Sequence, residues 1–240
     1  MTDWRWNETA HRYQDAETGR FISHTYALGL IQESIRQAIF ATDTLAGYVS
    51  AGQIAIPDWT QLMRTEIKNE YIRQYLAGIG GRSQMTQADW GKIGNLLKNQ
   101  YSRLDSFAAS LPGMSEAQIR VRAAMYSESA GQAYEMAHAK VAKGWGADTA
   151  AWFVDPSLEN CDVCLERQRM GPRPIGPRGG FMSTVDGEVF PKDCTAPCLV
   201  HDGCFIEFSN SKTGQVYEEG EITESLMTRI IHEAKMRMFG

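Results

Sequence analysis

The sequence predicts a mainly α protein, a helical bundle with a small β-rich module appended and a further helix at its C-terminus. Three observations carry that expectation. Apolar residues recur at three- and four-residue steps from about residue 25 to 145, the period at which a helix presents one face to its neighbours. At Ala150 the texture changes to short apolar runs broken by glycine and proline. And all five cysteines of the 240-residue chain fall between Cys161 and Cys204, inside that second region. Such clustering demands a local cause, and the spacing is that of a metal clasp: Cys161-x-x-Cys164, then Cys194, Cys198, His201 and Cys204. The module is therefore expected to bind zinc.

Four segments follow: an N-terminal arm (1–24), a helical domain (25–149), the zinc-binding β module (150–208) and a C-terminal helix (209–240). In the arm, Trp4, Trp6, Tyr13 and Phe21 stand among arginines and carboxylates, and Thr18-Gly19 marks a turn between two extended pieces. So aromatic an arm is expected to dock, on its own body or on a neighbouring subunit. A first helix is predicted over Tyr26–Val49, with Leu30, Ile31, Ile35, Ile39 and Leu45 on one face. Pro57-Asp58 opens the next, which carries Trp59, Leu62, Met63, Ile67, Ile72, Tyr75 and Leu76 and stops at Gly78-Ile79-Gly80-Gly81. Thr86-x-x-Asp89 and Ser115-x-x-Gln118 read as capping boxes that open helices of about 86–110 and 115–143. The last has Met125, Ala130, Tyr134, Ala137 and Val141 as its buried line. His138 beside that line is expected to be a satisfied structural residue, and the methionines to be adaptable packing.

In the module, Ala151-Trp152-Phe153-Val154 reads as a short strand leading into the C-x-x-C pair. Residues 171–180 read as an irregular loop, Val185–Phe190 as a hairpin with its turn at Asp186-Gly187, and Phe205–Phe208 as a strand. A final amphipathic helix over about 222–239 shows Ile222, Leu226, Ile230 and Ile231 on one side.

Zinc competes with other uses of cysteine. Five cysteines cannot all pair within one chain and no secretory leader is read, so a disulfide framework is not expected. A redox C-x-x-C would need to open a helix after a strand; the residues before Cys161 have a loop composition. Catalytic zinc keeps an open position with a base close by, and nothing like H-E-x-x-H occurs. The expected site is closed and structural, held by Cys161, Cys164, Cys198 and Cys204. His201 and Cys194 are the alternates: His201-x-x-Cys204 repeats the two-residue spacing, whereas Cys198 supplies the softer thiolate.

Composition sets the remaining bounds. A net charge of −5 argues against a general electrostatic grip on nucleic acid. Arg167, Arg169, Arg173 and Arg178 form a locally basic run, the basis of an alternative reading as a zinc-ribbon-like nucleic-acid binder. Yet residues 155–208 hold nine carboxylates against five Lys or Arg, and thiolates add negative charge, whereas DNA binding needs a surplus of cations. Gly78–Gly81 lacks the lysine of a phosphate loop, and no Ser/His/Asp order stands out among five histidines. No enzyme activity is expected. No apolar run is long enough to cross a bilayer, and thiols at a metal site point to a reducing compartment such as the cytoplasm.

Two residue patterns carry a resemblance. One is Arg12-Tyr13 followed by Thr18-Gly19-Arg20-Phe21-Ile22-Ser23 in the arm. The other is Trp152, then Cys161-x-x-Cys164, a glycine- and proline-containing loop, and a cysteine-rich close ending at Cys204 before a strand. Together they resemble the minor head proteins of tailed bacteriophages, the portal-associated head-morphogenesis family; Asp202 stands where that pattern has a middle cysteine. The resemblance covers residues 120–208 best. It implies a non-enzymatic structural protein of the virion, assembled in the host cytoplasm and built into a multi-subunit particle. Its partners would be portal or capsid proteins, with any contact with packaged DNA incidental.

Overall fold

The computed structural model describes residues 4–7, 12–15, 17–21, 24–154, 160–191, 193 and 204–217, and of residues 4–6, 12–13, 24–32, 83 and 217 the backbone only. The arm is a hairpin of β1 (Trp4–Asn7) and β2 (Arg12–Asp15), paired antiparallel from Trp4↔Asp15 to Asn7↔Arg12. The expected turn follows. The Asp15 carboxylate accepts hydrogen bonds from the amides of Glu17 and Thr18 and from the Thr18 hydroxyl. Gly19 supplies the left-handed φ of +68° that closes it, and Phe21 returns to bridge Gln14. The arm does dock on its own body: β1 lies against the tight 3-10 turn Arg82–Gln84.

The helices run α1 (His24–Ser50), α2 (Ile56–Ile79), α3 (Gln87–Ser110), α4 (Glu116–Ser129) and α5 (Gly131–Gly144). Pro57 sits in the first turn of α2, where its missing N–H costs nothing, and Gly80 ends that helix at φ 87°. Both capping boxes form, Thr86 with Asp89 and Ser115 with Gln118. Of the expected face of α2, Trp59, Met63, Ile67 and Tyr75 are buried, whereas Leu62 is exposed. On α1, Ile35 and Ile39 are buried and Leu45 packs at the core's edge; the side chains of Leu30 and Ile31 lie outside the described set.

The helix predicted over 115–143 is two helices. They meet at Ala130, the shared cap of α4 and α5, whose amide turns back to the Ser127 carbonyl. No proline marks the break; Ser129 and Gly131 flank it. Ser129 turns its hydroxyl to the Tyr126 carbonyl, and its own carbonyl accepts from the buried Tyr71 hydroxyl of α2 at 3.1 Å. Packing explains the bend, since α4 lies along α1 while α5 lies along α2. Gly78 permits the second contact: a Cβ there would collide with the Tyr134 carbonyl oxygen and with Ala137.

Beyond Gly146, β3 (Thr149–Val154) begins a small four-stranded sheet. The C-x-x-C pair opens α6 (Asp162–Arg169), followed by β4 (Arg173–Pro174), β5 (Phe181–Ser183), β6 (Gly187–Val189), β7 (Cys204–Ser209) and β8 (Val216–Tyr217). The sheet order is β4-β3-β7-β8, and β5 and β6 form a separate hairpin. The strand expected at 205–208 is present, but the sheet continues past 208 through β8. The hairpin turn falls at 184–186, with Gly187 at φ 76° opening β6. The final helix expected at 222–239 lies outside the described residues. The fold is thus mainly helical with small sheets.

The two regions share α5. The helical core gathers around Trp59, Met63, Tyr71, Tyr75 and Phe107 and takes in Phe190 from the module. The module's core centres on Trp152, Phe181, Ile206 and Phe208 and takes in Ala139 and Ala142 from α5. The loop at 171–180 is the seam. Lys143 donates to the Gly176 carbonyl at 2.7 Å, and Gly179 (φ 105°) comes so close to α5 that a Cβ would stand 2.6 Å from the Ala139 Cβ.

Candidate metal centre

Alternation along β7 puts Cys204, Ile206 and Phe208 on its buried side. The antiparallel register sets Cys204 opposite Val154, the last residue of β3, and Ile206 opposite Trp152. The chain leaving Val154 reaches Cys161 within a few residues. Cys161 takes the extended conformation of an N-cap (φ −74°, ψ 155°), and its carbonyl accepts the first helical bond from Leu165. Cys164 follows on the first turn of α6. The two-residue spacing thus places both sulfur-bearing residues at the helix N-terminus, where unsatisfied amides favour a thiolate.

Cys164 and Cys204 are completely buried in one apolar cluster with Trp152, Phe181, Val189 and Phe208, and the half-buried Cys161 packs against it. So three of the expected ligands, Cys161, Cys164 and Cys204, gather from a helix start and a strand start. Cys198, together with the alternates His201 and Cys194, lies in the stretch 194–203 outside the described residues. Among the described residues, which include Cys161, Cys164 and Cys204, no group of three or more His, Cys, Asp or Glu side chains is placed to hold a metal ion. The donor types are those zinc favours, two thiols at the start of one helix and a third at the start of β7, all bordering one apolar cluster.

One sequence argument fails. The C-x-x-C pair does open a helix after a strand, the setting that a redox motif requires. Its eight residues, DVCLERQR, are too few and too polar to show a helical period. Local secondary structure therefore does not separate a metal clasp from a dithiol here.

The basic run is not a free cationic face. Arg167 is buried: its guanidinium lies over the Trp152 ring at 4.9 Å and meets Asp186 Oδ2 at 2.9 Å. Arg178 wraps Glu188, donating from Nε to Oε2 at 3.0 Å and from Nη2 to the Glu188 carbonyl at 2.7 Å, while its amide donates to Oε1. Arg173 is half-buried in β4 opposite Ala150, while Arg169 and the ion-paired Arg178 are exposed. Sequence reasoning missed Arg167. The available signal was its position three residues after Cys164, which puts both on one side of α6.

His138 differs from expectation in detail. It is packed edge-on to Phe208 (5.3 Å between ring centroids) with Tyr134 on its other side, and its Nε2 makes no hydrogen bond within the protein. It serves as an aromatic spacer between α5 and β7. A buried electrostatic hub lies away from the cysteines. Buried Asp89 accepts from Tyr75 at 2.7 Å, from the Thr86 hydroxyl at 2.6 Å and from Lys140 at 2.6 Å. Burial alone would raise its pKa, but Lys140 and the two hydroxyls together hold it at about 2. Its partners are the cap residue Thr86, Tyr75 of α2 and Lys140 of α5, so the hub is structural and ties the start of α3 to two neighbouring helices. Among the described residues no helix is long and apolar enough to cross a membrane. No family model, curated protein or solved structure matches the chain.

Proposed function

We propose that the chain is a structural protein of a phage virion, a minor head protein acting in head morphogenesis through contacts with portal or capsid proteins, with one structural zinc. The observation that carries this reading is the convergence of Cys161, Cys164 and Cys204 on a single buried cluster that also holds Trp152, the four residues on which the more specific part of the resemblance rests. The arm supports it: Thr18-Gly19 is a built turn, and the Glu17–Phe21 tip stands exposed beside the body, available to a partner. The cysteine region supports a rigid clasp rather than a reaction site, being packed with apolar side chains. When bound, zinc would supply cross-linking, tying the start of α6 to the start of β7; Cys161, Cys164 and Cys204 would hold it with a fourth ligand from Cys198, His201 or Cys194. This reading assigns the protein no turnover and places it in the virion.

The nucleic-acid reading loses ground because Arg167 and Arg178 are committed to Asp186 and Glu188, leaving too few cations to displace counterions. The test is co-expression with the portal and capsid proteins of the same genome, followed by particle purification and elemental analysis. The expected result is a fixed ratio to the portal ring and one zinc per chain. A metal-free chain that stays out of particles, or one whose DNA binding falls steeply with salt, overturns the reading.

A further inference from the structure

We infer that Cys161 and Cys164 are a redox dithiol, which closes to an intramolecular disulfide by exchange with a small disulfide of the glutathione type. The inference goes beyond the metal reading and does not need it, since both residues and their helix are described and nothing from 194–203 takes part. Zinc binding and oxidation are alternative fates of the same two thiols.

The backbone sets the pair up. Neither residue is in a disulfide, and they stand three apart at the start of α6, Cys161 as the N-cap and Cys164 as the third helical residue. Helical geometry puts Cα atoms three residues apart at about 5 Å, within the roughly 4.4–6.8 Å that a disulfide spans. Inside a helix the two Cβ atoms would stand about 5–6 Å apart, too far for the roughly 3.5–4.5 Å that the bond requires. Cys161 escapes that constraint. At ψ 155° it is extended, and a cap in this conformation turns its side chain over the amides of the second and third helical residues. Cys164 is that third residue.

Exposure separates the roles of the two sulfurs. Cys161 is half-buried and Cys164 completely buried, so an incoming disulfide meets Cys161 first. The unsatisfied amides of the first turn favour an anion there. The Cys161 thiolate attacks one sulfur of the reagent, giving a mixed disulfide and releasing one thiolate. The Cys164 thiolate then attacks Cys161 Sγ and expels the second. The pair gives up two electrons and two protons, and the reagent leaves as two thiols. Cys204, completely buried on β7, takes no part.

Closure changes the helix that carries it. Eight residues are too few to hold a helix by themselves, and α6 relies on β3, whose Val154 amide donates to the Gln168 side chain at 3.0 Å. A bond across the first turn fixes the residues whose ordering is most costly, so α6 is firmer oxidised than reduced.

The experiment exposes the full chain, reduced and treated with chelator, to oxidised glutathione, then maps the acid-quenched products by peptide mass spectrometry. Wild type is expected to form the Cys161–Cys164 bond and to retain no glutathione. Cys164→Ser is expected to trap one glutathione on Cys161, because the resolving thiol is gone. Cys161→Ser should react at least tenfold more slowly. Amide exchange in α6 should slow at least tenfold on oxidation and recover with dithiothreitol. A wild type that retains glutathione on Cys161, or that pairs either residue with another cysteine, overturns the inference, as does Cys161→Ser reacting at the wild-type rate. Should a variant fail to fold, the wild-type map still decides. Elemental analysis of the reduced chain before chelation judges the metal reading separately: no zinc with the Cys161–Cys164 bond formed sinks that reading alone, and one zinc with no such bond sinks the dithiol alone.

Discussion

The helical body and the cysteine module are built in different ways, and the contrast shows where a metal, as proposed above, would matter. The body has long helices with closed ends and a core of large side chains: Trp59 meets Phe107 edge-on at 5.5 Å, and Phe107 stacks on Tyr126 at 6.1 Å. Burial of that kind stabilises a fold without help. The module has strands of two to six residues and one eight-residue helix, and it completes its core with two alanines from α5. A core of that size gains less from apolar burial, and the proposed metal cross-link would add to it by tying the start of α6 to the start of β7.

The sharpest way to separate the regions is to damage the body. Phe107→Ala removes a fully buried ring that joins α3 to α2 and α4, and should cost about 3–5 kcal/mol in denaturant unfolding. Zinc content per folded chain should stay unchanged, because Phe107 touches nothing in the module's cluster. If zinc were lost in step with stability, the two regions would be one cooperative unit.

Metal removal makes the converse cut. Chelation, or Cys161→Ser, should reduce hydrogen-exchange protection in β3 and β7 by ~100-fold while α2 and α3 keep theirs. The C-terminal turn of α5 should loosen with the module, since Ala139 and Ala142 face it. Protection lost equally in α2 and β3 would erase the contrast, and so would unchanged zinc in Cys161→Ser.

Acid should act on the body through Asp89. Its carboxyl is held at about 2 in the fold against an ordinary 3.8, so the unfolded chain binds the proton first as pH falls. The resulting stabilisation, about 2 kcal/mol, is present above pH ~4 and lost as pH falls toward 2. Glu70 has the opposite sign: burial raises its pKa, against hydrogen bonds from Gln74 and Ser34, so its contribution favours the fold at low pH and declines as pH rises above the ordinary carboxylate range. Asp89→Asn should therefore flatten the loss between pH 4 and 2 in urea titrations. An unchanged slope would mean that Lys140 does not hold Asp89 ionised.

How much of this was legible in the sequence follows from the same contrast. Helices of 24 residues, such as α2 and α3, repeat the apolar period often enough to be read, and Thr86-x-x-Asp89 and Ser115-x-x-Gln118 mark their ends by side-chain chemistry. The break at Ala130 was not legible because its cause is tertiary: Tyr71, far away in sequence, takes the Ser129 carbonyl. In the module, cysteine clustering pointed to Cys161, Cys164 and Cys204, while the short polar α6 gave no helical period and the burial of Arg167 was signalled only by its three-residue step from Cys164. A side chain of that polarity reads as solvent-facing until the partners that bury it, Trp152 and Asp186, are brought from other elements.

The smallest expected effect tests how independent the body's own folding signals are. The Ser115 hydroxyl oxygen accepts from the Gln118 amide at 3.3 Å, and the Gln118 side-chain oxygen accepts in turn from the Ser115 amide at 2.9 Å. Both groups are near the surface, so Ser115→Ala leaves amides that water can reach, and the loss should be about 1 kcal/mol. It should appear in urea unfolding as a shifted midpoint with an unchanged slope, because no new surface is exposed. Since α4 packs on α1 and the module rests on α5, the substitution should leave zinc affinity where it was. A fall in zinc affinity would mean that strain at the start of α4 passes through the Ala130 break into α5, and that the break couples the two regions instead of insulating them.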